Sequence, residues 1–463
     1  MRDELRQPTR SALPPSAPLP SAIQTLAFWR HPHAYLEWCR RRYGSRFTVN
    51  AVGMPPMVFM SDPEDIKAIV GAPANVLHPG AGAGVIAPLV GAGSFMLAEE
   101  DEHLRGRRAV LPAFNHRVIH EHADMLLEIV ARELTTWPLE EPVAIHPYLR
   151  ALSLRVILQT VFVSEDARLR ELHTRLLTML SITGSLALQE PQLRYLPGWR
   201  GIWKGFLTER AEVAKIMVEL IEEGAHSRAR DSGLLSMLLG GRHPDSAQTS
   251  DSDQASVTQI RDDLMSVILA GHETTASELA WAFQLLAHNP TVARRLVDDL
   301  DAGGEGYLTA TIQEVLRHRP VFLFTIPRVV GRPFEIAGTT YRPPVQLLGA
   351  IHLMQHDPSL YPEPHRFRPE RFLDTSPRPE VWLPWGGGRK RCPGHHLAML
   401  EMHTVLETVL RDFELTPIGR KIETARWRSV IVTPGRGSRI MLRKRHRGFS
   451  GRTTAVAARG VLS

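Results

Sequence analysis

The most informative stretch of this chain is Leu383-Pro-Trp-Gly-Gly-Gly-Arg-Lys-Arg-Cys-Pro-Gly394. Its cysteine, Cys392, follows three glycines and three consecutive cations and precedes a segment with a helical pattern. Positive charge and a helix N-terminus both lower the pKa of a thiol. The glycines let backbone N–H groups approach the sulfur and any flat group above it. The stretch predicts a cysteine held as a thiolate, which leaves a nucleophile, a redox sensor and a zinc ligand open.

Composition bounds the class of protein. The 463 residues are 43% hydrophobic and 22% charged, which is typical of a globular chain with a large core. Two cysteines, Cys39 and Cys392, cannot build a disulfide framework and favour a reducing compartment, so we expect a cytoplasmic protein. The first residues, MRDELRQPTR, contain acids and no apolar segment, so no secretory signal is predicted.

The net charge of +6 is localised at the C-terminus. Residues 436–463 hold eight Lys or Arg and no acid, which leaves 47 of the 55 cations against 49 acids in the other 435 residues. We therefore divide the chain into a proline-rich leader (1–20), a single domain (21–445) and a basic, disordered tail (446–463). Nucleic-acid binding is not predicted, because no stacking aromatic side chains accompany the cations.

An uncharged stretch at residues 68–98 resembles a membrane span in length but not in composition. It contains six glycines and three prolines, which a lipid-exposed helix does not tolerate. We expect an apolar loop region there and no transmembrane anchor.

A long central helix is predicted from Ser256 to Asn289. Ser256 and Gln259 form a capping-box pattern, and Pro290 ends the helix. A helix of about 31 residues would span about 46 Å, enough to cross a domain. Only two acids interrupt residues 264–287, so the helix is predicted to be buried on all sides.

The middle of this helix reads Ala270-Gly-His-Glu-Thr-Thr275. Gly271 costs roughly 1 kcal/mol of helix stability relative to alanine, and with Ala270 it is expected to leave a notch for a small ligand. Glu273 followed by Thr274 suits proton delivery, and a buried Glu273 needs a compensating role. The alternative is a packing glycine beside a hydrogen-bonded threonine.

Two further charge patterns are weak by themselves. Glu314 and Arg317 lie three residues apart on one helix face, with Arg371 as a third partner; such pairs matter mainly when buried. His103 and Arg107 lie one helical turn apart and suit a carboxylate or phosphate, although a solvated basic face has the same pattern.

Together and in this order, these motifs resemble the cytochrome P450 family of haem-thiolate enzymes. The resemblance rests on WGGGRKRCPG at 385–394, AGHETT at 270–275, ExxR at 314–317 and PERF at 369–372, and it spans about residues 25–445. It implies a mainly α fold with smaller β-sheets, in which a triangular helical prism surrounds a long central helix of the I type.

The resemblance also implies a role for each matching residue. Cys392 would be the proximal thiolate ligand of haem b iron, which favours O–O cleavage. Glu273 and Thr274 would deliver protons through water to bound dioxygen. The cofactor-binding residues would be His103, Arg107, Arg328, Lys390, Gly388, Trp385 and Gly394. The buried structural network would be Glu314, Arg317 and Arg371.

Two positions depart from the family's pattern. Trp385 stands where phenylalanine is usual, and its indole N–H either points toward the sulfur or packs beneath the porphyrin. Lys390 stands where arginine is usual, so a point charge replaces a planar fork, and the propionate contact either weakens or passes to Arg389 or Arg391.

The expected activity is that of a monooxygenase. It would take electrons from a separate ferredoxin or flavodoxin with its reductase and use O2 to hydroxylate a lipophilic small molecule such as a fatty acid, terpenoid, steroid or polyketide. The cations at 389–391 would steer an acidic redox partner. A peroxygenase or isomerase, and a non-enzymatic haem sensor or carrier, are the alternatives; the acid–alcohol pair argues against both. Two histidine groups, at 116–122 and 395–403, are expected to be surface residues rather than a zinc site.

Overall fold

The fold is mainly helical with small sheets, as predicted. The computed structural model describes residues 13–163, 166–182, 199–226, 233–240 and 256–445. Its α-helices are α1 (Ser21–Arg30), α2 (Pro32–Tyr43), α3 (Pro63–Gly71), α4 (Pro79–Gly82), α5 (Ala87–Val90), α6 (Glu100–Val110), α7 (His116–Glu121), α8 (Ala123–Leu134), α9 (His146–Phe162), α10 (Ala167–Ile182), α11 (Trp199–His226), α12 (Leu234–Gly240), α13 (Val257–His288), α14 (Pro290–Asp301), α15 (Gly306–His318), α16 (Ile351–Gln355) and α17 (His395–Asp412).

The strands are short and form four sheets. They are β1 (Arg46–Val49), β2 (Met57–Met60), β3 (Leu77–His78), β4 (Pro142–Ala144), β5 (Arg328–Val330), β6 (Phe334–Ile336), β7 (Thr339–Tyr341), β8 (Gln346–Gly349), β9 (Phe413–Pro417), β10 (Ala425–Arg428), β11 (Ile431–Pro434) and β12 (Arg439–Lys444). The largest sheet has the order β1-β2-β8-β5-β3, and only β2 and β8 pair in parallel. A second sheet has the order β4-β12-β9, and β6–β7 and β10–β11 are hairpins.

Helix α13 is the predicted central helix. The Ser256 side chain accepts a hydrogen bond from the Gln259 N–H at 3.1 Å, which caps the N-terminus. Gly271 allows close packing against α9, because a Cβ there would lie 3.0 Å from two carbons of Ile157. Most of the helix is buried, including Glu278, whose carboxylate accepts the Val321 N–H at 3.0 Å. Burial raises the pKa of Glu278 well above its usual range.

The apolar stretch at residues 68–98 is more ordered than predicted. It contains the end of α3, the short strand β3 and the short helices α4 and α5, rather than only loop. Prolines lie at the first turns of both short helices, where the missing N–H is tolerated. In the part of the chain that the structure describes, no helix is long and apolar enough to cross a membrane.

The division into leader, domain and tail stays a prediction. Residues 13–20 of the leader lie beside β1, where Thr48 donates its N–H to the Pro15 carbonyl at 2.8 Å and its hydroxyl to the Pro14 carbonyl at 2.7 Å. The predicted tail, 446–463, lies outside the described residues.

Five histidines form an array of neighbouring rings where α2, α15 and α16 meet. The ring of His352 lies 4.3 Å from the rings of both His33 and His356, and His356 lies 5.5 Å from His318 and 5.3 Å from His365. Burial, followed by the charges of neighbouring histidines and arginines, lowers the pKa of His33, His318 and His356 well below the usual value. These side chains are therefore neutral in the folded protein.

Acid should destabilise the protein through this array. A pKa lowered by folding stabilises the protein above the unfolded value of about 6.5, and that stability is lost as the pH falls below it. We expect His33→Phe, which keeps a ring against His352 but cannot take up a proton, to show a smaller fall in Tm between pH 7 and pH 5 than the unsubstituted protein. The exposed His226→Phe serves as the control, and an equal fall in Tm for both variants would contradict the prediction.

Candidate active site

The cysteine loop is closed by its own backbone and rests on α3. The Cys392 N–H donates to the Trp385 carbonyl at 2.9 Å. Gly386 and Gly388 have φ values of +65° and +64°, which other residues rarely adopt. A Cβ at Gly388 would lie 2.3 Å from the carbonyl oxygen of Val70, so glycine is required there for space as well.

Cys392 lies just before α17, with Gly394 at the N-cap position. Burial raises the pKa of the Cys392 thiol, and this outweighs the Gly394 N–H and the charges of Arg107 and Arg391, which lower it. The fold without a bound metal therefore does not by itself favour the thiolate, because the sequence shows the neighbouring charges but not the burial. Binding of a metal would supply the missing stabilisation, since a thiol loses its proton when it becomes a ligand.

Four predicted cofactor residues converge on one cavity of about 370 Å³, which is lined by His103, Arg328, Lys390 and Gly388 among others. Arg328 is buried, and its Nη1 has no hydrogen-bond partner within the described ranges. Burial lowers the pKa of Lys390 to about 8. A buried guanidinium with an unused N–H next to an ammonium fits an anionic group such as a carboxylate.

Arg107 lies apart from this cavity lining. Its Nη1 donates to the Arg391 carbonyl at 2.6 Å, so it braces the cysteine loop from α6. The Lys390 ammonium donates to the carbonyls of Met96 and Ala98 at 3.2 and 3.0 Å. His103 places Nδ1 at 2.8 Å from the Phe95 carbonyl.

Of the two residues predicted to form a notch in the central helix, Ala270 and Gly271, only the first does so. Ala270 is exposed in the middle of an otherwise buried helix, and the Thr274 hydroxyl donates to the Ala270 carbonyl at 2.6 Å. Gly271 instead faces Ile157 of α9, so the prediction that it opens the notch is wrong. It is the packing glycine that the alternative described.

Glu273 is held by cations that the sequence did not reveal. Arg150 of α9 donates to Oε2 at 2.8 Å, and Arg428 at the end of β10 donates to Oε1 at 2.6 Å. Burial raises the pKa of Glu273, but the hydrogen bond and charge of His272 and the charges of Arg150 and Arg428 outweigh it, and the net pKa is far below the usual range. Glu273 is thus an ion-paired carboxylate that must exchange a partner before it can carry a proton.

The ExxR pair is buried and makes a network with two other segments. Arg317 donates to both oxygens of Glu314 at 2.7 and 2.9 Å, and both side chains are fully buried. Arg371 adds a contact of 3.3 Å to Glu314, and the Arg368 N–H adds one of 2.9 Å. Arg317 also donates to the Gln355 carbonyl at 2.8 Å.

Trp385 packs into the core beside His395, with ring centroids 6.2 Å apart. Among the hydrogen bonds of the described residues, none joins the indole N–H of Trp385 to the sulfur of Cys392. Its carbonyl, rather than its side chain, interacts with Cys392.

The histidine groups do not form a metal site. Nε2 of His116 lies 3.0 Å from Nε2 of His120, yet no three His, Cys, Asp or Glu side chains of the described ranges are placed to hold a metal ion. His122 of the first group and His403 of the second are buried rather than on the surface, and burial lowers the pKa of His403 to about 4.

A family model described as Cytochrome P450 matches residues 12–440. The chain belongs to the cytochrome P450 family. It is 34% identical over 444 residues to the putative cytochrome P450 135B1 of Mycobacterium tuberculosis, covering 93% of this chain and 91% of that protein. It is also 34% identical over 443 residues to the putative cytochrome P450 137 of the same organism, with the same coverage.

Solved P450 structures have the same fold as this chain. Retinoic acid-bound cyanobacterial CYP120A1 has a TM-score of 0.79 at 21% identity, covering 93% of this chain and 99% of that one. The cytochrome P450DA heme domain has a TM-score of 0.81 at 19% identity, covering 95% and 99%. The predicted fold is confirmed, and membership makes the protein a haem b-dependent monooxygenase. The cavity lined by His103, Arg328 and Lys390, next to the loop that carries Cys392, suits that cofactor.

Trp385→Phe should leave the haem reduction potential unchanged, because the indole N–H makes no hydrogen bond to the sulfur. Redox titration of the haem-loaded variant measures this, and Trp382→Phe, which removes an N–H bonded to the Gln313 carbonyl at 3.2 Å, is the control for loss of an indole from the same segment. A lower potential in Trp385→Phe alone would show that the indole does donate to the sulfur.

Proposed function

We propose that this P450 hydroxylates a lipophilic small molecule at a haem held by Cys392, with electrons from a separate redox protein. The carrying observation is the position of the cysteine loop beside a cavity where His103, Arg328 and Lys390 converge. The loop carries a thiol, and the cavity that it borders offers cations for an anion; these are the two kinds of contact that an iron porphyrin with propionates needs.

Haem, when bound, supplies dioxygen activation, and thiolate ligation promotes it. The residues of the chain hold and orient the reactants. The Gly394 N–H and the start of α17 stabilise negative charge on the Cys392 sulfur. Thr274 donates its hydroxyl hydrogen to the Ala270 carbonyl, so its oxygen lone pairs are left to accept a hydrogen bond from water on the open side of the helix.

Proton supply from Glu273 requires release from at least one cation. Arg428 is the partner on the β10–β11 hairpin, whereas Arg150 belongs to a helix packed along α13. Movement of the hairpin would free Oε1 while Arg150 still holds Oε2. The acid–alcohol pair then acts in two stages, with Thr274 ordering water and Glu273 exchanging protons after the hairpin moves.

The proposed substrate is lipophilic because the segments expected around the pocket are apolar. Residues 321–326 are Val-Phe-Leu-Phe-Thr-Ile, of which Val321, Leu323 and Thr325 are buried. Trp203 of α11 stacks on Phe206 with centroids 5.2 Å apart, so it serves packing rather than ligand binding. The retinoic acid bound to the cyanobacterial relative is a lipophilic carboxylic acid, which supports this substrate class.

An acidic ferredoxin or flavodoxin, with its reductase, is the proposed electron donor. Of the three loop cations, Arg389 and Arg391 are exposed and Lys390 points inward, so the predicted three-cation patch is reduced to two. Exposed Arg105 and Arg108 on the neighbouring helix α6 extend it. Positive charge on this surface favours an acidic partner through long-range attraction. We also propose a cytoplasmic location, because both cysteines are free thiols.

Replacement of the proposed ligand tests the assignment directly. The reduced protein with carbon monoxide should show the absorption band of thiolate-ligated haem, and Cys392→Ala should lose it because no other thiol lies in the loop. Cys39→Ala, which removes a buried thiol of α2 with a pKa raised to about 11 by burial, is the matched control. An unchanged spectrum in Cys392→Ala would overturn the proposal.

Titration with fatty acids of increasing chain length tests the substrate class. We expect a spin-state shift of the ferric haem whose apparent Kd falls with chain length, because each buried methylene contributes about 0.8 kcal/mol. The corresponding methyl esters separate apolar binding from recognition of the carboxylate. Absence of a spin shift with every chain length would remove fatty acids from the proposed substrates.

A further inference from the structure

Three carbonyls of one short segment hold two of the cofactor-cavity residues. The segment, residues 95–98, lies just before α6. The Phe95 carbonyl binds Nδ1 of His103 at 2.8 Å, and the carbonyls of Met96 and Ala98 accept from Lys390 at 3.2 and 3.0 Å. The positions of the imidazole and the ammonium therefore depend on where this segment lies.

Phe95 fixes the segment on the side of α6. Its ring stacks on the imidazole of His103, with centroids 6.0 Å apart and planes 22° apart. A Cβ at Gly106 would lie 2.4 Å from the Cβ of Phe95, so the helix passes close to this residue. Any displacement of Phe95 would move both the acceptor and the stacking partner of His103.

Asp263, in the second turn of α13, fixes the same residue from the central helix. Its Oδ1 accepts the Phe95 N–H at 2.9 Å, and Gln259 donates to its Oδ2 at 3.2 Å. Asp263 is 6% exposed, and burial raises its pKa to about 6, with the charges of Asp262 and Glu102 adding to the rise and the bonds from Phe95 and Gln259 opposing it. A carboxylate kept at such a buried position is costly unless its hydrogen bonds are used.

The neighbouring acid has a different target. Asp262 accepts the Gly93 N–H at 3.0 Å and pairs with Arg261 at 2.7 Å. It therefore holds the chain two residues upstream of Phe95 and makes no hydrogen bond to residues 95–98. The two adjacent acids share one helix turn and similar burial, yet only Asp263 is connected to the cofactor cavity.

We propose that Asp263 is a positioning residue for the haem propionates: through the Phe95 N–H it sets residues 95–98, and these orient His103 and Lys390 in the cofactor cavity. The proposal rests on the proposed function, because it assumes that the haem propionates occupy this cavity. It gives the N-terminal half of the central helix a part in cofactor binding, two turns before the Ala270–Thr275 segment.

Haem release from the loaded protein tests this inference, with transfer to an excess of apomyoglobin as the measurement. Asp263→Ala should release haem about 10- to 100-fold faster than the unsubstituted protein, the range found when a partner of a cofactor ligand is removed. Asp263→Asn keeps an acceptor at the same place without the charge, and its release rate should stay within about threefold of the original. Asp263→Glu keeps the charge but displaces the acceptor, so it should release haem faster and serves if the alanine variant does not fold.

Asp262→Ala is the matched control for general loosening of the helix. It should lower Tm about as much as Asp263→Ala and leave haem release near the original rate. Equal acceleration in both variants, or no acceleration in Asp263→Ala, would overturn the proposal. The carbon monoxide spectrum of the unsubstituted protein separates this failure from failure of the proposed function, because thiolate ligation is measured there without any change at Asp263.

Discussion

The buried ion pair between Glu314 and Arg317 is the interaction on which the position of the cysteine loop depends. The two oxygens of Glu314 fix the Arg317 guanidinium, which in turn binds the Gln355 carbonyl. The Gln355 side chain accepts the Leu383 N–H at 2.9 Å, and Leu383 begins the cysteine loop. A buried charge without its partner costs several kcal/mol, so this chain of bonds ties the position of Cys392 to a pair of charges on another helix.

The central helix is organised by the same requirement that buried charges be compensated. Asp262 accepts the Gly93 N–H, Asp263 accepts the Phe95 N–H, Glu273 pairs with two arginines, and Glu278 accepts the Val321 N–H. The two aspartates therefore join α13 to residues 93–95, and the two glutamates join it to α9, to β10 and to Val321. Because the helix is buried on nearly all sides, these hydrogen bonds and ion pairs fix its position relative to the neighbouring elements.

Features determined by nearby residues could be predicted from the sequence. The Ser256 cap and the spacing of Glu314 and Arg317 are local, and the structure contains both. The partners of Glu273 could not be predicted, since Arg150 and Arg428 lie 123 and 155 residues away. The direction of the pKa shift of Cys392 could not be predicted for a related reason. The cations that lower this pKa include neighbours in the sequence, whereas the burial that outweighs them comes from the whole fold.

The lysine at position 390 keeps a donor for an anion despite its two bonds to carbonyls. The pKa of His103 is lowered by burial and by the charges of Lys390 and Arg107. These effects outweigh the hydrogen bonds to the Phe95 and Arg389 carbonyls, which raise it, so the imidazole is neutral. A neutral ring has one N–H, and the shorter contact, 2.8 Å to the Phe95 carbonyl against 3.3 Å to that of Arg389, assigns it to Nδ1. Nδ1 then cannot accept from the ammonium 3.1 Å away, and the third N–H of Lys390 is left for a propionate. The backbone of residues 95–98 thus orients Lys390 so that it could serve in place of the expected arginine.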